Sequence, residues 1–427
     1  MKSVVLGLIA GLLATAAHAD SVVVTADRMV DVVAGRMVEK PVVVITDGRI
    51  VSVGTRGSVK APEGARRVDL PGMTLLPGLV DMHVHLGSVP EIGGYNFLQY
   101  SDALWTVAAA ANAKKMLDAG FTTVRNVGSE FYSDVGVRDA VDLGIAKGPR
   151  IIPAAYALGA TGGHCDSTFF PPSMAEKSPA LVDSPEEGRK RVREQRKAGA
   201  QVIKVCATGG VFSRNTEPGQ QQMSEAELRA IAEEAHQWGL RVAAHAHGAA
   251  GIKAAIRGGI DTIEHASLID DEGIRLAATR TQPVWLSMDI YNSEYTQAEG
   301  AKNGVLEDNL RKDREIADAQ RENFRKAVRG GAKMVYGTDA GVYPHALAGR
   351  QFQWMVRYGL TPMQAIQSAT VNAGQALGRE KDVGAIAVGR FGDLIAVAGD
   401  PTTDVRLLEA VPFVMKGGVV EKAMAKP

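Results

Sequence analysis

Seven of the nine histidines in this chain stand at the ends of apolar, strand-like runs or in the loops just after them. They are His83, His85, His164, His245, His247, His265 and His345. The most informative pair is His83 and His85, which end the run Gly-Leu-Val-Asp-Met-His-Val-His (78–85). Residues spaced i, i+2 on a β-strand lie on one face, so both imidazoles are directed to the same side. Imidazoles gathered in this way indicate a metal site.

Two further residues extend this set of donors. Lys204 lies in Val-Ile-Lys-Val-Cys (202–206) and Asp339 in Gly-Thr-Asp-Ala-Gly (337–341). An ammonium group among histidines and divalent cations is repelled and desolvated, so we expect the pKa of Lys204 to fall. A neutral amine can take up CO₂ as a carbamate, whose two oxygens can bridge two metal ions. The alternative is an ordinary lysine that extends its ammonium to solvent.

The middle of the chain alternates strand-like runs with helical periodicity. Eight strands are predicted, at residues 79–85, 122–127, 150–157, 201–207, 241–247, 261–265, 283–288 and 333–337. A helix is predicted over 224–239, where Ser224 and Glu227 form a Ser-x-x-Glu start. Eight β/α units predict a (β/α)8 TIM barrel, with reactive side chains at the carboxyl ends of the strands. A doubly wound open sheet is the competing fold, and no glycine-rich phosphate fingerprint follows the first strand to support it.

Both ends of the chain are rich in β patterns. Two alternating runs flank Asp47-Gly48, which predicts a hairpin, and further strand-like runs occur at 384–389, 393–399 and 412–420. The α/β chain is therefore expected to carry a small β-sandwich domain formed from both chain ends. The predicted organisation is a signal peptide at 1–19, an N-terminal sandwich segment at 20–78, the metal-dependent hydrolase barrel at 79–375 and a C-terminal sandwich segment at 376–427.

The first residues have the pattern of a secretory signal. Lys2 precedes an apolar run at 4–16, and Ala17-His18-Ala19 is a small-x-small cleavage site. The run is too short to span a bilayer. We therefore expect an exported protein, periplasmic or secreted, without a membrane anchor in its mature form. A retained anchor is the alternative.

Charge and cysteine content limit the partners. Lys plus Arg and Asp plus Glu both number 48, which gives no electrostatic reason to expect nucleic acid or an anionic membrane as partner. The two cysteines, Cys165 and Cys206, do not make a disulfide framework. We expect free thiols packed beside site residues, with a bridge between them as the less favoured alternative.

Several segments together resemble the metal-dependent amidohydrolase superfamily. They are Pro-Gly-Leu-Val-Asp-Met-His-Val-His, Val-Ile-Lys, Ala-His-Ala-His-Gly, Ile-Glu-His-Ala and Gly-Thr-Asp-Ala-Gly. The chain is similar to the binuclear branch with imidazolonepropionase-like proteins, Xaa-Pro dipeptidases, related carboxypeptidases and ochratoxinases. It resembles in particular exported bacterial amidohydrolases that hydrolyse ochratoxin A to phenylalanine and ochratoxin α. Asn126 and Cys165 depart from the family pattern, which has Asp and Gly there, and neither is an expected ligand.

The resemblance implies two Zn²⁺ ions per chain. The implied ligands are His83, His85 and Asp339 for one ion and His245 and His265 for the other. N6-carboxylated Lys204 would bridge them. On the fifth strand the resemblance favours His245 over His247, whereas the residues alone leave both open. Asp339 would take a proton from the attacking water and deliver it to the leaving amine.

Four residues are candidate substrate contacts, namely His164, His247, Arg214 and His345. His164 is also a catalytic candidate, as a donor to a developing oxyanion, with a loop histidine bonded to backbone as the alternative. Arg214 is a candidate clamp for a substrate carboxylate, although loop arginines are usually solvated. We expect Glu264 to face away from His265 by strand alternation and to support the barrel wall. Arg125 is expected in a buried ion pair.

These features predict an enzyme that hydrolyses the amide between an acyl group and a C-terminal apolar or aromatic amino acid, in the manner of a carboxypeptidase, with ochratoxin A among its substrates. A cyclic-amide hydrolase, dihydroorotase-like or imidazolonepropionase-like, is the first alternative. A non-catalytic periplasmic metal or ligand binder is the second, and Asp339 argues against it because binding alone needs no general base. The expected partners are small-molecule or dipeptide-like amides. The resemblance also implies a homo-oligomer, with an octamer as the state it suggests.

Overall fold

The computed structural model describes residues 21–423, so the predicted signal peptide lies outside the described residues. The strands in this range are β1 (Ser21–Asp31), β2 (Arg36–Glu39), β3 (Pro41–Thr46), β4 (Arg49–Thr55), β5 (Arg66–Pro77), β6 (Leu79–Val84), β7 (Phe121–Asn126), β8 (Arg150–Pro153), β9 (Val202–Cys206), β10 (Arg241–Gly248), β11 (Thr262–Leu268), β12 (Trp285–Ser287), β13 (Lys333–Val335), β14 (Leu394–Ala398), β15 (Phe413–Lys416) and β16 (Val419–Lys422). The helices are α1 (Ala103–Asp118), α2 (Ser133–Asp142), α3 (Pro185–Ala198), α4 (Glu225–Gln237), α5 (Ala249–Gly258), α6 (Asp271–Thr279), α7 (Asn292–Glu299), α8 (Glu307–Arg329), α9 (Gln351–Arg357), α10 (Pro362–Ser368) and α11 (Val371–Ala376).

Eight parallel strands, β6 to β13, form the frame of the molecule. They make two sheets, β6-β7-β8 and β13-β12-β11-β10-β9, and each of the eight predicted strands overlaps one of them. Single bridges join the two sheets at both edges, between Val84 and Ala340 and between Leu158 and Val205. The arrangement is therefore TIM-barrel-like, with two parallel sheets that meet at isolated bridges instead of one continuous closed sheet.

Apolar runs and capped helices explain this frame. Ile203 on β9 and Val242 on β10 are fully buried and belong to the same apolar cluster as Ile231 of α4 and Ile252 of α5. Strands buried on both faces require such continuous apolar runs. The capping box predicted for α4 is confirmed, because the Ser224 hydroxyl accepts from Glu227 N and the Glu227 side chain accepts from Ser224 N.

The two chain ends share a third sheet. Its order is β16-β15-β14-β5-β1-β3-β4, with β2 paired to β1, and Leu75, Leu394 and Met415 lie in its buried cluster. The β3–β4 hairpin turns at Asp47 and Gly48, which both have positive φ, as the sequence predicted. The strands form one mixed sheet, so a two-sheet sandwich is not confirmed. The domain limits stay predictions.

Cys165 and Cys206 form a disulfide, so the expectation of free thiols was wrong. The segment after β8 runs along β9, where Leu158 N donates to Lys204 O and Cys206 N donates to Leu158 O, both at 2.8 Å. This pairing brings two cysteines 41 positions apart to a Cα–Cα distance of 5.9 Å. The proximity is tertiary, and the spacing of the cysteines in the sequence does not reveal it.

Within residues 21–423, every helix is too short or too polar to cross a lipid bilayer.

Candidate metal centre

His83, His85 and Asp339 meet where β6 and the segment after β13 end. Nε2 of His83 lies 3.3 Å and Nε2 of His85 lies 3.4 Å from the same carboxylate oxygen, Oδ1 of Asp339. One donor atom from each residue lies within 4.8 Å of the others. The i, i+2 spacing therefore places both imidazoles on one side, as the sequence predicted.

A second group of donors adjoins the first. His245 and His247 end β10, and His265 lies on β11, with one donor atom of each within 4.8 Å of the others. The His265 ring also lies 5.0 Å from the His83 ring, between centroids, so the two groups are continuous. Parallel strands bring their carboxyl ends to one edge, which is why residues so distant in sequence converge.

Asp339 is held in an uncommon backbone conformation. Its φ is +57°, and His265 has a φ of +67°, both in the left-handed region that side chains other than glycine disfavour. Asn292 Nδ2 donates to Oδ2 of Asp339 at 2.9 Å, which leaves Oδ1 toward the histidines. At Gly341 a Cβ would lie 2.7 Å from His85 O, so only glycine allows this close approach. The surroundings thus fix Asp339 against a local conformational cost.

Each expected histidine ligand has one ring nitrogen bonded away from the site. Nδ1 of His83 lies 3.0 Å from Glu264, Nδ1 of His265 2.9 Å from Asp289, Nδ1 of His85 3.3 Å from Gly128 O, and Nε2 of His245 3.1 Å from Gly209 O. A ring N–H donated to a carboxylate or carbonyl fixes the tautomer and leaves the other nitrogen as a lone-pair donor. This arrangement is characteristic of metal-binding histidines.

Lys204 lies on β9, and its Nζ is buried without a hydrogen-bond partner in the described residues. Burial lowers its pKa to about 8, although Glu264 and Asp339 oppose that shift. Nε2 of His83 is likewise buried, and its 3.3 Å contact with Asp339 Oδ1 lacks the geometry of a hydrogen bond. Buried polar atoms without partners are costly, and a bound cation or a modified amine would satisfy them. The residues present therefore fit a metal site of nitrogen and carboxylate ligands.

Glu264 corrects the sequence interpretation. Its Oε2 accepts from His83 Nδ1, and its Oε1 pairs with Arg125 Nη2 at 2.7 Å, with all three side chains buried. Burial opposes ionisation, but Arg125 and His83 hold the pKa of Glu264 well below its usual value. Strand alternation fails here because His265 adopts positive φ, so successive side chains do not point to opposite faces. The ion pair expected for Arg125 is confirmed.

Asp289 and Asn292 were missed by the sequence interpretation. Asp289 Oδ1 accepts from His265 Nδ1, and Asn292 Nδ2 bonds both Asp289 and Asp339. Asp289 comes directly after β12 and the apolar Met288, so the strand-end rule that identified Asp339 could have identified it. Asn292 begins α7 and carries no such sequence signal.

His164 lies over the second donor group. Its ring stacks on that of His245, with 4.1 Å between centroids and 22° between planes. Nδ1 lies 2.9 Å from Ser213 Oγ, and the backbone N donates to Gln222 Oε1. Burial, with His265 and Lys204 adding to it, lowers the pKa of His164 to about 3. His164 is therefore a neutral imidazole placed at the site.

The other two expected substrate contacts lie differently. His345 is buried, and its Nε2 lies 3.2 Å from His85 O, so it supports the strand end and does not line an open mouth. Arg214 is exposed, and its Nη1 donates to Tyr95 Oη at 2.5 Å. Its neighbour Ser213 is the residue that contacts His164. No described carboxylate pairs with the Arg214 guanidinium.

Comparison with known proteins gives a consistent result. Residues 74–426 match the model of the amidohydrolase family. The chain is 30% identical to ochratoxinase from Aspergillus niger over 91% of this chain and 84% of that protein. It is 25% identical to imidazolonepropionase from Symbiobacterium thermophilum over 89% of this chain and 87% of that protein.

Solved structures agree with these matches. A Xaa-Pro dipeptidase with bound methionine in the active site superposes with a TM-score of 0.87 at 32% identity, covering 95% of this chain and 100% of that chain. The A. niger ochratoxinase structure superposes with a TM-score of 0.86 at 28% identity, covering 96% and 97% of the two chains. The matched lengths include the barrel-like frame and the shared terminal sheet.

Proposed function

This chain belongs to the amidohydrolase family and is a metal-dependent hydrolase of amide bonds, and we propose that it releases a C-terminal apolar or aromatic amino acid from an acylated or dipeptide-like substrate. The observation that carries the proposal is the fixed Asp339 carboxylate between His83 and His85, beside a second histidine group. Ochratoxinase and the Xaa-Pro dipeptidase, two of the proteins to which the chain is similar, support this substrate class and make ochratoxin A a reasonable substrate.

The proposed cofactor is a pair of Zn²⁺ ions. His83, His85 and Asp339 would hold one ion, and His245 and His265 the other. Lys204, carboxylated on its amine, would bridge them. When bound, zinc supplies Lewis-acid polarisation of the amide carbonyl and lowers the pKa of water.

The surroundings of Lys204 support its proposed carboxylation. The amine is buried without a partner among the described residues, and its lowered pKa raises the fraction of the neutral form that reacts with CO₂. Arg125 already neutralises Glu264, so an uncarboxylated Lys204 ammonium would add positive charge beside His83. A carbamate replaces that charge with an anion, which suits a site for divalent cations.

Asp339 is the proposed proton carrier. Asn292 fixes Oδ2, and nearby His83 and His85 help to hold the pKa of Asp339 below its usual value although burial opposes this, so the carboxylate is ionised. It would accept the proton of the attacking water and return it to the leaving amine. Because Asn292 holds the carboxylate in place, little reorganisation is needed.

His164 is the proposed donor to the substrate. We place the proton of the neutral ring on Nε2, so that Nδ1, 2.9 Å from Ser213 Oγ, is the acceptor of that contact. Nε2 can then donate a hydrogen bond to the scissile carbonyl oxygen or to the substrate carboxylate. A neutral donor is suitable because it stabilises developing negative charge without adding a cation to the site.

His245 and His247 are expected to differ in effect. The bond from Nε2 of His245 to Gly209 O leaves Nδ1 for a metal, and the 2.8 Å contact of Nδ1 of His247 with Ser267 Oγ leaves its Nε2 in the same way, so the choice of His245 as the ligand rests on the family resemblance. We expect His245→Asn to lower zinc content and activity together. His247→Asn should retain zinc and raise KM by about 10-fold, as expected for one lost substrate hydrogen bond. Metal analysis of both variants, with steady-state kinetics, checks this, and the reverse pattern would make His247 the ligand.

The substrate class is tested with matched amides. The zinc-reconstituted enzyme should hydrolyse N-acyl amino acids, dipeptides and ochratoxin A, and should lose about 10-fold in kcat/KM when the substrate's carboxylate is replaced by a carboxamide. Arg214→Gln should remove this difference if Arg214 binds the carboxylate. Hydrolysis of lactams but not of dipeptides would instead favour the cyclic-amide alternative. Zinc binding without any hydrolysis would favour the binder.

Export and assembly complete the proposal. Residues 1–19 are proposed to direct export to the periplasm or the medium, and the mature chain is proposed to form a homo-oligomer. Cell fractionation and light scattering of the mature protein test the two statements independently.

A further inference from the structure

The segment that carries His164 is tied covalently to the strand that carries Lys204. We propose that the Cys165–Cys206 disulfide is a positioning device that holds the His164 ring over His245, and that reduction of this disulfide lowers activity through His164. The inference deepens the proposed function and rests on it for the role of His164.

The path of the chain connects the disulfide directly to the two histidines. Cys165 follows His164 in sequence, and Cys206 is the last residue of β9. In the pairing of β9 with β10, Cys206 is the register partner of His245. One half of the disulfide therefore lies beside His245 and the other beside His164. The bond fixes the distance between the two backbone segments that carry His164 and His245. The rings of these two residues stack with 4.1 Å between centroids.

The disulfide adds to other restraints on this segment, such as the bonds from Thr161 to Asp183 and from Ser178 N to Asp166, which hold the backbone around His164 but not its ring. The described segment between β8 and α3 is irregular, apart from a short 3-10 helix at Pro172–Met174. Apart from the disulfide, His164 is held by two hydrogen bonds, from its ring to Ser213 and from its backbone N to Gln222. Long irregular segments retain considerable conformational freedom, and a covalent link removes much of it.

The space beside Gly210 fits the His164 ring in one position. A Cβ at Gly210 would lie 2.4 Å from ring atoms of His164, so the ring occupies the volume that a side chain would take. A small displacement of the segment would move the imidazole out of this space. Displacements of about 1 Å in a positioning element can cost on the order of 100-fold in rate.

One side of the disulfide is open to a soluble reductant. Cys206 is buried, whereas Cys165 is partly exposed. A phosphine such as tris(2-carboxyethyl)phosphine can reach the Cys165 side and reduce the bond to two thiols, with water supplying the oxygen of the phosphine oxide. Metal ions and fold can be checked in the same sample.

The experiment compares the holoenzyme before and after reduction, with thiol counting by mass spectrometry and zinc analysis. Reduction and the double variant C165A/C206A should each lower kcat/KM by about 10- to 100-fold while zinc content stays unchanged. The double variant is the matched control, because the phosphine should not change its activity. In a His164→Asn background, reduction should cause no further loss, as expected when both changes act on the same group.

A readout without catalysis separates this inference from the proposed function. Hydrogen exchange of residues 159–170 should accelerate on reduction, whereas residues 241–248 on β10 should keep their protection. Two free thiols in the untreated protein, unchanged exchange on reduction, or an equal loss of activity in the His164→Asn background would each overturn the positioning role. If no amide is hydrolysed at all, the proposed function fails, and the exchange measurement still decides whether the disulfide holds the segment.

Discussion

Asp339→Asn should lower kcat by about 1,000-fold or more, because an amide of the same shape cannot accept the proton of the attacking water. Asp339 uses Oδ1 toward His83 and His85 and Oδ2 toward Asn292, whereas an asparagine can direct its single oxygen to only one of these two sides, so zinc content must be measured with the rate. The measurement is steady-state kinetics on a dipeptide or N-acyl amino acid, normalised to zinc content. Rates that remain within a few-fold of the unmodified enzyme would remove Asp339 from the mechanism.

Asp289→Asn is the matched control for this variant. Asp289 is also a buried carboxylate of the same cluster, and it contacts His265 and Asn292. Its proposed role is to orient His265, so its amide should cost about 10- to 100-fold, mainly through metal affinity. Losses of equal size in the two variants at full zinc occupancy would indicate a general effect of charge and would contradict the assignment of Asp339 as proton carrier.

Lys204→Ala should remove both tightly bound zinc and activity. The bridging ligand is lost, and a cavity remains on β9 where the amine is now buried without a partner among the described residues. Added formate or acetate should restore part of the activity, because a small carboxylate can occupy the place of the carbamate. Zinc analysis and a titration with carboxylate measure the two effects.

Lys204→Arg distinguishes carboxylation from a simple requirement for positive charge. Arginine retains a cation but stays protonated and does not form the carbamate. We expect it to be as inactive as the alanine variant and to show no carbamate signal when grown or equilibrated with ¹³C-bicarbonate. An active Lys204→Arg enzyme would show that the site needs the charge of lysine and would end the carbamate hypothesis.

The redox state of the Cys165–Cys206 disulfide must be the same in all variants that are compared. Reduction of Cys165–Cys206 is expected to alter the position of His164. The Asp339 and Lys204 variants should therefore be compared in the oxidised state.

The sequence by itself determined the features that depend only on residues close together in the chain. The i, i+2 spacing of His83 and His85, the Asp47-Gly48 turn and the capping box at Ser224 each depend on periodicity or on a few adjacent residues. The strand-end rule also predicted that His265 and Asp339 converge, and one donor atom of each lies within 4.8 Å of the other, because parallel strands bring their carboxyl ends together. These features required no knowledge of long-range contacts.

Tertiary structure alone decided the partners of these side chains. The positive φ of His265 brought its ring to the same side as Glu264, which contacts His83, against the alternation expected for a strand, and the pairing of the segment after β8 with β9 joined Cys165 to Cys206. Asn292 reached Asp339 from a helix whose sequence gave no indication of it. The physical reason is that a linear pattern records which face or end a residue occupies, whereas the choice of partner depends on how separate segments pack and on local backbone conformations that packing stabilises.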